Sequence, residues 1–82
     1  MSQQQPVNRE HLLALAWEMI VSHPDYFTGL GVDDVEQNGD VLVFRGNYYL
    51  DDQGLPTAKS TTVFNVYKAL AVDLSARYRL EN

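Results

Sequence analysis

Cysteine is absent from the 82 residues, which excludes a disulfide framework and a thiolate metal centre. No run of about 18 apolar residues occurs, so no segment is expected to cross a membrane as a helix. The opening Met1-Ser2-Gln3-Gln4-Gln5-Pro6 lacks the basic start and apolar stretch of a secretory signal. A reducing cytoplasm is therefore the expected compartment. Basic residues are scarce, six against eleven acids for a net charge of −5. That balance argues against nucleic acid as a partner, because each phosphate contact requires a cation.

The charge that is present is unevenly spread. Residues 1–54 hold nine acids and two bases, or −7, whereas residues 55–82 hold four bases and two acids, or +2. Four cations, Lys59, Lys68, Arg77 and Arg79, cannot make an extended basic stripe, so a small anionic group is the largest target they suit. With 45% hydrophobic residues, the length fits one domain held by packing alone. A chain this short buries only roughly 60–65% of its unfolded surface. Uncovered apolar area then makes self-association an expectation.

Residues 1–7 are polar, end near Pro6, and are expected to form a disordered tail before a single α+β domain over 8–82. Asn8 suits a helix N-cap, and Leu12, Leu13, Ala16, Met19 and Ile20 recur at helical spacing until Pro24 ends the run. Asn38-Gly39 predicts a hairpin turn between strands at about 32–37 and 41–50. Leu42, Phe44, Tyr48 and Leu50 would share the buried face, with Gly46 marking a bulge or a close backbone approach. A turn at Asp51-Asp52-Gln53-Gly54 leads to a short edge strand near Leu55–Thr57. A last helix then starts between Thr57 and Thr61 and runs to about Tyr78, with Val63, Tyr67, Leu70, Ala71, Leu74 and Tyr78 on its apolar stripe. The predicted order is α-β-β-(β)-α, a two-layer α+β fold with a small antiparallel sheet and both helices on one face.

Chemistry concentrates at the tip of that last helix. Thr57, Lys59, Ser60, Thr61 and Thr62 surround backbone N–H groups that attract anions. Capping needs only one of the hydroxyls, and the surplus is what points to a bound anion. A phosphate-binding loop is excluded: the spacing is one residue short, Ala58 replaces a glycine, and Pro56 removes an N–H. His23-Pro24-Asp25 matches a co-chaperone tripeptide but lacks the basic helix before it and the helix after it. An EF-hand reading of Asp34 onward fails because Arg45 falls where a bidentate glutamate is needed. His11 and His23 stand about 18 Å apart by helical rise, so they cannot share one site within a copy. No catalytic constellation and no cofactor or metal motif emerges.

Beyond these local readings, Val41-Leu42-Val43-Phe44, Gly46, Tyr48, Leu50-Asp51, the run Gln53 to Thr61, and Val63-Phe64-Asn65 together resemble the YciN family of small bacterial proteins. The likeness runs from the first helix to Tyr78-x-Leu80. It implies a compact α+β domain in the cytoplasm, and it implies no activity or site residue. The function expected is that of a small interaction module, homodimeric or bound to another protein. Arg45, Asn47 and Tyr49, on the outer sheet face, are the expected contact surface. The alternative expectation is a regulatory anion site at the last helix tip.

Overall fold

The computed structural model describes residues 4–81. Its element order is β1 (Gln5–Val7), α1 (Arg9–Ser22), β2 (Asp34–Asn38), β3 (Val41–Arg45), α2 (Ala58–Ser75) and β4 (Tyr78–Leu80). The fold is a small α+β domain with an antiparallel pair, β2–β3, and a parallel pair, β1–β4.

Local chemistry sets both helices. Asn8 takes an extended backbone and its side-chain oxygen accepts the His11 N–H at 2.8 Å, which starts α1. His23 returns to extended geometry ahead of Pro24 and ends it. Leu12, Ala16 and Ile20 of α1 and Val63, Val66, Tyr67, Leu70 and Leu74 of α2 are buried. They join the inward Val35, Leu42 and Phe44 of the hairpin, with Leu30 and Val32 of the preceding loop, in one core. Full burial of each such aliphatic side chain contributes about 2 kcal/mol.

The hairpin differs from expectation in its turn and its length. Asn38 pairs with Val41, so the two turn residues are Gly39 and Asp40. Positive φ occurs at Gly39 and not at Asp40, the pattern of a type II′ turn. β3 stops at Arg45, five residues short of its predicted end. The cause is Gly46, where a Cβ would overlap the Tyr67 hydroxyl and lie 3.2 Å from the Gly31 carbonyl. The chain there passes too close to its neighbours to continue the ladder. Leu50, expected inside, is consequently 48% exposed.

The short strand predicted at Leu55–Thr57 is replaced by a closed turn. The Asp51 carboxylate accepts the Gln53 and Leu55 N–H groups at 2.9 Å, taking donors that a ladder would use. Gly54 occupies the left-handed region, as expected of it. α2 also ends earlier than predicted, because the chain after Ser75 turns to form β4.

β1 and β4 were not predicted. Gln5, Pro6 and Val7 stand opposite Tyr78, Arg79 and Leu80, where a disordered tail was expected. Residues 1–3 of that tail lie outside the described residues. Val7 is buried, and the Gln4 side-chain amide donates to the Asp40 and Ser75 carbonyls. Non-local contacts of this kind hold a segment whose own sequence has little structural preference. Gln37 joins the two ribbons, its side-chain oxygen accepting the Leu80 N–H at 2.8 Å.

Candidate functional site

The α2 tip is built by a reciprocal cap. The Thr57 hydroxyl accepts the Ser60 N–H at 3.3 Å, and the Ser60 hydroxyl accepts the Thr57 N–H at 2.9 Å. Each hydroxyl then donates its own proton to the Tyr49 carbonyl, at 2.8 and 3.0 Å. Ser60 is fully buried by this arrangement. Thr61 and Thr62 turn back along the helix toward the Thr57 and Ala58 carbonyls at 3.5 Å. Of the five residues proposed for an anion, Lys59 alone keeps donors without a hydrogen-bond partner among the described residues. Its ammonium stands 5.5 Å from the ring centres of both Phe27 and Tyr49, a favourable cation–π position.

Tyr49 organises this region through an uncommon backbone. It has φ of 56°, a left-handed geometry that disfavours a bulky residue. The side chain of Asn47 accepts the Tyr49 N–H, while the Tyr49 hydroxyl donates to the Gly29 carbonyl at 2.6 Å. Its ring meets Phe27 edge-on at 5.3 Å. Tyr49 thus ties the loop before β2 to the loop before α2 and aims its carbonyl at the helix tip.

Tyr67 makes a second tie below it. Its hydroxyl donates to the Gly31 carbonyl, and its ring packs edge-on against Tyr48 at 5.5 Å. Burial, then the neighbouring Tyr48, Asp33 and Tyr49, push its pKa up to about 12. The phenol therefore stays a proton donor at neutral pH. That protonation suits a structural hydrogen bond and does not suit a general base.

The three residues expected on one contact strip are separated by the early end of β3. Arg45 remains on the outer hairpin face and pairs with Glu36 at 3.2 Å. Asn47 and Tyr49 lie beyond the strand and are engaged with each other and with Gly29. On the outer face itself, Val41 is 49% exposed and Val43 is partly exposed, opposite Asn38 and Glu36. An Arg9–Asp34 pair at 2.9 Å completes a charged rim.

His11 and His23 do not converge either. His11 lies beside the Tyr78 ring at 6.4 Å, and His23 accepts the Asp25 N–H through Nδ1. Among the described residues, no group of three or more His, Asp or Glu side chains could hold a metal ion. No helix among them is long and apolar enough to cross a membrane.

One surface was missed by sequence reasoning. The solvent side of α2 holds a shallow open groove of about 580 Å³, lined by Asn65, Lys68, Ala69, Val72, Asp73 and Ala76. Its signal was legible as a second stripe of small apolar residues opposite the core stripe. The core stripe, with larger side chains, dominates any search for one apolar face.

Comparison with known proteins agrees with the resemblance read from the central motifs. A protein named YciN from Escherichia coli K12 is 53% identical over 76 residues, covering 93% of this chain and 92% of its own length. The YciN proteins of the O6:H1 and O157:H7 strains match to the same extent. The family model described as "Protein of unknown function (DUF2498)" matches residues 3–81. The chain belongs to this YciN-like family, DUF2498.

Proposed function

We propose that the chain works as a small interaction module that offers the outer face of its β2–β3 hairpin to another protein. The observation behind this reading is the uncovered Val41 beside Val43, on the face turned away from the core. β-branched residues in a sheet gain their stabilisation by packing, and here the outer pair meets solvent. The mixed rim of Arg45, Glu36, Asp34 and Arg9 would fix register with a partner more than it would add affinity. The cytoplasm is the compartment this reading assumes.

A photo-crosslinking residue placed at Val43, with a control at Asp52 in the exposed turn, tests the surface in the native cell. A discrete adduct from position 43, absent from position 52 and lost when Val41→Asp is added, is the expected result. Adducts that appear equally from both positions would overturn it.

A second reading rests on Lys59, whose side chain has no carboxylate partner among the described residues. A single small anion would bind its ammonium near the start of α2. Titration with inorganic phosphate should then move the Lys59 and Thr61 amide resonances, and Lys59→Met should abolish the movement. Unmoved resonances at millimolar phosphate would remove this reading.

A further inference from the structure

α2 presents two stripes on opposite sides. Val63, Val66, Tyr67, Leu70 and Leu74 face the core. Asn65, Ala69 and Val72, followed by Ala76 in helical geometry at the C-cap, recur at alternating steps of four and three residues on the other side. Those steps are the spacing at which two helices meet along a shared seam. The four residues line the groove of about 580 Å³, and Val72 at its middle is 67% exposed.

We propose that this groove is filled by α2 of a second copy, aligned parallel to the first, so that the protein forms a symmetric dimer. The charges select both the partner and the direction. Lys68 directly precedes the seam residue Ala69, and Asp73 directly follows the seam residue Val72. In a parallel pair, these flanking positions face one another across the seam, Lys68 against Asp73 and the reverse. An antiparallel pair would instead bring like flanks together, lysine edge to lysine edge and aspartate edge to aspartate edge, and leave Lys68 with no Asp73 to face. Asp73 already accepts a hydrogen bond from Arg77 at 2.8 Å, and its second oxygen is available to the opposing lysine.

Side-chain size points the same way. Two alanines in the seam let the helix axes approach closely, while Val72 supplies the central apolar contact. Asn65 meets its own symmetric copy, where two amides can pair and fix the register. An interface limited to so short a seam falls below the standard size and corresponds to a weak dimer. This pairing is independent of the hairpin surface, so either proposal stands or falls alone.

Sedimentation velocity across the micromolar range tests it. The wild-type chain should shift from monomer to dimer, and Val72→Glu should remain monomeric with an unchanged circular dichroism spectrum. Lys68→Glu and Asp73→Lys should each weaken association roughly tenfold, since each replaces two attractions with two repulsions. Mixing those two variants should restore it, because both cross-seam pairs are again of opposite sign. As the chain has no cysteine, Asn65→Cys and Ala76→Cys give clean crosslinks. Each should join to its own copy only if the helices run parallel. A wild-type monomer at high micromolar concentration, a dimer indifferent to Val72→Glu, no rescue on mixing, or failure of both cysteine variants to crosslink would each overturn the proposal.

Discussion

The two ribbons of this protein are both short and two-stranded, yet they are held by opposite means. β2–β3 is joined by a two-residue turn, and its inward residues Val35, Leu42 and Phe44 lie in the core. β1–β4 joins strands of three residues whose paired positions, Gln5 and Tyr78, lie at the two ends of the described chain. The hairpin closes a small loop and places three side chains in the core, whereas the parallel ribbon closes nearly all of the described residues for a few backbone bonds and one buried side chain, Val7. Loop-closure entropy rises with the length closed, so the second ribbon should form later and open first. The difference separates a scaffold from a strap.

The largest test of that division lies at the hairpin's exit. Gly46→Ala should destabilise the protein by about 3 kcal/mol, because a Cβ there meets the Tyr67 hydroxyl and the Gly31 carbonyl. Chemical denaturation would show this as a lower midpoint with an unchanged slope. A mild effect would mean that the scaffold side is less tightly set than its geometry indicates.

Alkaline unfolding comes next. The Tyr67 hydroxyl is raised from about 10 in the unfolded chain to about 12 in the fold. The unfolded chain thus releases this proton first, so the contribution is whole below pH 10 and is lost as pH rises from 10 to 12. The expected loss is about 2 kcal/mol by pH 12, read from denaturation midpoints. Tyr67→Phe, which lowers stability at neutral pH, should flatten that part of the profile.

Removing residues 1–7 should cost about 2 kcal/mol or less, from the buried Val7 and the ladder bonds of β1. Hydrogen exchange should then show lost protection at Glu81, whose N–H donates to the Val7 carbonyl, and retained protection at Val43. If the hairpin amides open together with the strap, the two ribbons form one cooperative unit and the comparison fails. The smallest effect belongs to Gly39→Ala, about 1 kcal/mol, from a side chain forced into a left-handed turn. Its folding rate should fall if the hairpin forms in the transition state.

The same division explains what could be read from the residues. α1, the hairpin and α2 carry local signals, namely Asn8, Pro24, Gly39 and a periodic apolar stripe, and the order of these elements followed. β1 and β4 have three residues each, one of them Pro6, and no local pattern identifies a ribbon whose partner lies 73 positions away. The end of β3 was equally hidden, because Gly46 stops the strand through Tyr67 and Gly31, neither adjacent in sequence. At the α2 tip, the surplus of hydroxyls was visible. Their destination was not, since Tyr49 directs its carbonyl there only by adopting a positive φ. Tertiary geometry decided those cases.

The β1–β4 strap also bears on how the chain is made. A ribosome delivers Gln5 to Val7 well before Tyr78 to Leu80, their partners 73 positions later. During synthesis β1 therefore waits without its mate, and this ribbon closes only once β4 has emerged. The hairpin has no such delay. The scaffold can thus assemble early, with the stitch between β1 and β4 added only after α2 has been made.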